Sequence, residues 1–214
     1  MIAARLPTLA NVAEHLRDDE IHVWRLDYHP RDGRGPLRAV LGAYLGLPAD
    51  QVALADGTHG RPSLAGGHDP SLDFNWSHSG VHALVAVGRH IAPGIDLECL
   101  RPHPRALAIA ERYFSAEEAA ALLALPPAAR SAAFLELWTA KEAVLKALGR
   151  GLAFGLDRLS IAGTAECPSL LRLEGDNAAA WQLRRLPIAP ELVAALAWRG
   201  GERNIRFGTL ASRG

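Results

Sequence analysis

The chain has 214 residues, 49% of them apolar, and its 23 Lys and Arg balance its 23 Asp and Glu at a formal net charge of +0. That length suits one large domain or two small ones with a real core, and the apolar share excludes a disordered chain. The charge balance offers no broad grip on nucleic acid and no apolar run reaches membrane-spanning length, so neither is an expected partner.

In chain order, Met1 to Ala10 lacks a sustained apolar stretch and Glu14 follows soon after, so no signal peptide is expected. Glu20 to Asp27 alternates as a strand does. A basic turn with His29, Arg31 and Arg34 leads to a helix carrying Leu37, Val40, Leu41, Tyr44 and Leu45 and stopping at Gly46. Gln51 to Ala55 reads as a short strand, and Asp56 to Pro70 as loop. Leu72 to Trp76 and His82 to Val87 read as strands joined through Ser77 to Gly80, and Ile91 to Leu97 as a third. After Pro102 and Pro104 a short helix runs to Tyr113. Ser115 with Glu118 then forms a capping-box pattern opening a helix that ends at Pro126 and Pro127. A long helix from Phe134 carries Leu137, Trp138, Leu145 and Leu148 on one stripe and closes at Gly149 and Gly151. Strands follow over 154–161, 169–173, 180–186, 192–198 and 205–210, which makes an α+β chain. The two cysteines, Cys99 and Cys167, are far apart and lack metal-type spacing. Free thiols in a reducing cytoplasm are expected, and the location is read as cytoplasmic.

Three clusters bear chemistry. Asp96 and Glu98 in Gly94-Ile-Asp-Leu-Glu98 share one side of a strand, which suits a hard divalent cation such as Mg²⁺ or an acidic solvent face. Phe74-Asn-Trp-Ser-His-Ser-Gly80 sets small polar groups around His78, which suits a phosphate or a polar hairpin turn. Arg31, Arg34, Arg38 and Arg61 are loose basic residues, each an anion ligand or a solvated charge. On the long helix Glu142 and Lys146 are four residues apart and share a face, which alone reads as a surface pair.

Taken together, Phe74-Asn-Trp-Ser-His-Ser79, Gly94-Ile-Asp-Leu-Glu98, Phe114-Ser-Ala-Glu-Glu118 and Trp138-Thr-Ala-Lys-Glu-Ala143 with Lys146 and Gly149-Arg-Gly-Leu152 resemble the 4′-phosphopantetheinyl transferase superfamily, in particular its longer Sfp-type branch. The resemblance is good from Arg34 to Leu152 and looser beyond. It implies a monomeric pseudodimer of two similar α+β halves, residues 1–94 and 95–214, each a small antiparallel sheet on a long helix. It implies a holo-[acyl-carrier-protein] synthase type of activity: the phosphopantetheine group of coenzyme A passes to a serine of an acyl, peptidyl or polyketide carrier protein, releasing 3′,5′-ADP.

By matching positions, Asp96, Glu98 and Glu142 would hold Mg²⁺ or Mn²⁺, and Glu142 or water held by it would take the serine proton. His78 and Ser77 would touch coenzyme A phosphates, Arg61 the nucleotide, and Arg34 or Arg38 the 3′-phosphate. Lys141 and Lys146 would face the pyrophosphate, with Lys146 offsetting the leaving group's charge. The basic run Arg101, Arg105 and Arg112, with Leu107 or Tyr113, is the expected carrier docking surface. Between Asp27 and Leu37 there is only a short turn, where longer members carry an extra helical segment; His29, Arg31 or Arg34 stand in its place. Two other readings remain: a nucleotide phosphohydrolase using the same carboxylates, and a non-catalytic coenzyme A or carrier-binding relative.

Overall fold

The chain runs α1 (Val12–His15), β1 (Glu20–Asp27), α2 (Gly35–Leu45), β2 (Leu54–Asp56), β3 (Pro62–Leu64), β4 (Leu72–Ser79), β5 (His82–Arg89), β6 (Gly94–Cys99), α3 (Ala106–Tyr113), α4 (Ala116–Ala124), α5 (Pro127–Leu148), β7 (Leu159–Gly163), β8 (Pro168–Leu173), β9 (Trp181–Arg185), β10 (Leu192–Arg199) and β11 (Asn204–Leu210). This is a computed structural model that describes residues 9, 12–57, 59–65, 67–163 and 167–210. The stretch read for a signal peptide falls outside those residues except for Leu9.

The architecture is α+β. One sheet has the order β11-β1-β5-β4 and the other β6-β10-β9, with β2-β3 and β7-β8 as small ribbons. The large sheets lie face to face. Ile21, Val23, Leu84 and Ala86 of the first pack against Ile95, Leu97, Leu196 and Trp198 of the second. The outer face of the first sheet, through Trp24, Phe74, Val85 and Val87, packs on Leu37, Val40, Leu41 and Tyr44 of α2. The outer face of the second, through Val193, Ala195 and Ala197, packs on α5. Strands buried on both faces need continuous apolar runs, and β5 (Ala83 to Val87) and β10 (Leu192 to Trp198) have them. The division read at residue 94 coincides with the start of β6, but the last strand crosses it: β11 lies parallel to β1 in the first sheet, Val23 opposite Phe207.

A polar group sits inside the first half. The Tyr44 hydroxyl lies 2.8 Å from His22 Nδ1 and accepts from Trp24 Nε1 at 2.7 Å. Glu20, fully buried, pairs with Arg206 of β11 and with Arg17, both at 2.7 Å. Burial drives His22 to a pKa of about 4, against the pull of Glu20, so it is neutral at pH 7.

Several local expectations shift. β4 runs on through Ser77, His78 and Ser79, because the hairpin turns only at Gly80 (φ 59) and Val81. The loop read over residues 56–70 contains β3. The strand read over 154–161 is instead two 3-10 turns, Leu152–Phe154 and Leu156–Arg158, before β7. Gly151 (φ 56) and Gly155 (φ 97) break the extended run there. Helix α5 starts at Pro127, a residue suited to a first turn, and ends at Gly149 (φ 73) in the left-handed conformation. It is buried nearly all round between Thr139 and Leu145, so no single stripe describes it. The second sheet covers one side, and α3, α4 and β7 cover the other.

Candidate functional site

The site forms where α5 crosses β6. Gly94 opens β6, and a Cβ there would overlap Ala143 O and Ala147 N and come within 2.9 Å of Ala147 Cα. Only glycine allows backbone on backbone at this point. The crossing sets Glu142 and Lys146 of α5 beside Asp96. Lys146 Nζ lies 2.7 Å from Asp96 Oδ1. Asp96 and Glu142 are both buried, at 5% and 9% exposure, and Asp96 Oδ2 and Glu142 Oε1 have no hydrogen-bond partner.

Burial raises the Glu142 carboxyl to a pKa of about 7. The charges of Asp96 and Glu98 push the same way, and Lys146 opposes them. The structure thus brings Asp96, Glu98, Glu142 and Lys146 together, as the sequence implies. Among the described residues no set of three or more His, Cys, Asp or Glu is already gathered around one point. The carboxylates are held instead by protein donors. Ser77 Oγ donates to Asp96 Oδ1 at 2.8 Å, and Ser79 Oγ donates to Glu98 Oε2 at 2.8 Å.

Beside these groups is a cleft of about 390 Å³ lined by His59, Gly60, Arg61, Asn75, Trp76, Glu142, Lys146 and Gly151. A second cavity, about 380 Å³, lies between α4, α5, β7 and β10 and is mostly apolar. Only the first is lined by residues of the acidic cluster, Glu142 and Lys146.

Other expected residues stand differently. Lys141 does not face the cleft. Its ammonium is fully buried and bonds Leu156 O at 2.8 Å, Leu159 O at 2.7 Å and Glu118 Oε2 at 2.7 Å. Three acceptors use all three donors. Burial lowers its pKa, and Glu118 works against that. Glu118 also accepts from Ser115 N at 3.0 Å and from Ile161 N at 2.9 Å, so the capping-box acid doubles as a tie between α4, α5 and β7. Lys141→Met should therefore lower unfolding free energy by about 3–5 kcal/mol, as removing one partner of a buried pair does. Urea denaturation checks this; a loss under about 1 kcal/mol would show that the tie carries no weight.

Arg61 lines the cleft, but its guanidinium is engaged. It donates to Lys146 O at 3.1 Å, both Asp73 oxygens at 3.1 Å, Phe74 O at 3.0 Å and Pro93 O at 3.3 Å. It clamps the end of α5 to β4 and to the approach to β6. Ser77 spends its proton on Asp96 and not on an open phosphate cradle, since it lies on a strand rather than in the turn. His78 is exposed, stacked on Tyr28 at 4.5 Å between ring centroids and 5.2 Å from Trp76. Arg34 pairs with Asp56, and Arg38 Nε donates to Val52 O at 3.2 Å; both are tied to the β2 segment, and neither lines the cleft. Sequence reasoning passed over Asn75 and Ser79, which face β6 together with Ser77. Their two-residue spacing on one strand, matching that of Asp96 and Glu98, was the available signal.

A family profile described as the 4′-phosphopantetheinyl transferase superfamily matches residues 92–197. The 4′-phosphopantetheinyl transferase HetI of Nostoc sp. is 38% identical over 199 residues, which cover 90% of this chain and 82% of that protein. The 4′-phosphopantetheinyl transferase psf-1 of Bacillus pumilus is 36% identical over 143 residues, covering 66% and 59%. Sfp of Bacillus subtilis is 31% identical over 140 residues, covering 63% and 60%. These last two alignments span under two thirds of the relatives' own length. Among solved structures, the Thermotoga maritima holo-[acyl-carrier-protein] synthase overlaps 53% of this chain and 65% of its own with a TM-score of 0.41 at 21% identity, and no residue is carried over from it. With HetI matched along most of both chains, the chain belongs to the 4′-phosphopantetheinyl transferase superfamily.

Proposed function

We propose that the cleft between β4, α5 and the segments 59–62 and 149–152 is where this chain transfers the 4′-phosphopantetheine group of coenzyme A to a serine hydroxyl of a carrier protein. The observation that carries this reading is the meeting of Asp96 and Glu142, each with a buried oxygen that no protein donor reaches, beside Lys146. Two buried, unpartnered acceptors on interacting carboxylates are costly, and a divalent cation answers both. The donor set, all carboxylate oxygen, fits Mg²⁺ or Mn²⁺, with Asp96, Glu98 and Glu142 as the residues that would hold it. When bound, such an ion supplies positive charge to the coenzyme A pyrophosphate.

Glu142 takes the proton of the carrier serine, directly or through a water it holds. The serine oxygen bonds to the β-phosphorus. The bond from that phosphorus to the bridging oxygen breaks, and 3′,5′-ADP leaves with that oxygen. Lys146 offsets the charge on the leaving group, and the exposed His78, stacked on Tyr28 and near Trp76, meets a coenzyme A phosphate. The protein's part is positioning and electrostatics. We place this work in the cytoplasm, in a monomer whose two sheet-on-helix halves form a pseudodimer.

The carrier docks along the segment after Glu98. Arg101, Arg105 and Arg112 are exposed, and so are the apolar Val81 (53%), Leu100 (43%) and Tyr113 (46%); Leu107 is packed against the core. Gly80 at the hairpin tip lies against Cys99 Sγ, so Val81 and Leu100 flank the Glu98 end of the site. Reversing Arg105 and Arg112 to Glu should raise the carrier KM about tenfold with kcat kept, as lost steering toward an acidic partner does. An unchanged carrier KM in steady-state assays would remove this surface.

Incubation with an apo carrier protein, coenzyme A and Mg²⁺, read by intact mass of the carrier, tests the whole reading. One added phosphopantetheine supports it. Nucleotide release without carrier modification would mark a hydrolase, and binding without either product a non-catalytic relative.

A further inference from the structure

The strands β4 and β6 are edges of different sheets and share no ladder. They are joined by side chains. Asn75 Oδ1 accepts from Ile95 N at 2.9 Å, Ser77 Oγ donates to Asp96 Oδ1 at 2.8 Å, and Ser79 Oγ donates to Glu98 Oε2 at 2.8 Å. Three residues at two-residue spacing on one strand meet Ile95, Asp96 and Glu98 in turn along the other. Ser79 Oγ also accepts from Cys99 N at 3.1 Å. That bond occupies the hydroxyl as an acceptor and turns its proton toward Glu98. Ser77 and Ser79 are themselves buried, each 8% exposed, so water does not compete for these bonds.

We propose that Ser77 and Ser79 are positioning residues that aim Asp96 and Glu98 at the cation, a role that rests on the cation reading above. Each serine holds one oxygen of its carboxylate. Ser77 and Lys146 both hold Oδ1 of Asp96, which leaves its other oxygen, Oδ2, buried and without a partner. Glu142, which feels the charge of Asp96, likewise keeps Oε1 buried and unpartnered. The acids come from the strand of one half, the serines from the strand of the other. The geometry of the ligands thus depends on how the two sheets meet, and neither half aims its own acids. Partners that orient metal ligands in this way typically carry 10–100-fold in metal affinity.

The test is Mn²⁺ binding, followed by the electron paramagnetic resonance of the free ion, with coenzyme A present and no carrier protein. Ser79→Ala and Ser77→Ala should each bind Mn²⁺ at least about tenfold more weakly than the wild type. In the transfer assay both should lose activity at low Mg²⁺ and regain kcat at saturating Mg²⁺. A merely structural role leaves Mn²⁺ affinity intact and is not rescued by metal. Mn²⁺ affinity within about twofold of wild type in both variants overturns the inference and leaves the cation reading standing. Absence of Mn²⁺ binding by the wild type overturns the cation reading, and this inference falls with it.

Discussion

Glu142→Gln should lower turnover by about 10²–10⁴-fold, the range a positioned general base contributes, while the protein stays folded. The substitution keeps the volume of the side chain and removes only its ability to carry charge and accept a proton. In the structure that charge is confined: the carboxyl is 9% exposed, one of its oxygens has no partner, and Asp96 and Lys146 are its nearest charged neighbours in effect. Turnover above about a tenth of wild type, measured by carrier mass at saturating coenzyme A, would take Glu142 out of the chemistry.

The same variant has a stability signature with a definite sign. Burial and the neighbouring acids raise the Glu142 pKa from 4.5 to about 7, so without metal the folded state favours the neutral carboxyl. Below pH 4.5 folded and unfolded chains are both protonated there, and the group costs nothing. As pH rises toward 7 the unfolded chain gives up its proton first, and stability is lost, reaching on the order of 3 kcal/mol once both forms are ionised. Metal-free Glu142→Gln should lack that decline and should melt above metal-free wild type at pH 8. Mg²⁺ binding to the wild type should strengthen over the same window and release up to one proton below pH 7, because a carboxylate must be ionised to hold a cation.

The pieces of this site differ in how far sequence alone reveals them. That Asp96 and Glu98 share one side, and Glu142 and Lys146 one face, was legible because a strand repeats every two residues and a helix every 3.6; that the two pairs form one site was implied only by the family resemblance. The same arithmetic tells against Lys141. It precedes Glu142 by one residue, about 100° round the helix, so it points to another side of α5, where Glu118 meets it. Glu118 was read as a cap and is one, but its second partner lies 23 positions on, beyond any local pattern. Ser77 to Gly80 read in sequence as the connection between two strands, but β4 runs through Ser79 and the hairpin bends only at Gly80. Arg61 looked like a free cation until Asp73 and three carbonyls were seen around it. The parallel pairing of β11 with β1 joins residues about as far apart as the chain allows, and apolar alternation does not say which edge a strand will choose.

Gly94→Ala should be nearly as damaging as Glu142→Gln, though it adds one methyl group and touches no charge. That methyl would occupy the place of Ala143 O and Ala147 N, and both are helix backbone, which a rotamer change does not clear. Either β6 bends or α5 lifts off the sheet. Both outcomes separate Glu142 and Lys146 from Asp96, since the 2.7 Å Lys146–Asp96 contact exists only because helix and strand lie backbone to backbone. A misplacement of about 1 Å costs about 10²-fold in rate, and forcing volume into a packed core costs about 1–3 kcal/mol. The variant should therefore lose at least about 100-fold in kcat/KM, with a melting temperature lower by about 2–12 °C for a chain of this size. The control is Gly46→Ala, where a Cβ meets nothing and the left-handed φ of 66 costs stability alone. It should melt lower with kcat near wild type. If Gly94→Ala behaved like that control, the close crossing would be a packing detail and not what brings the two walls of the site together.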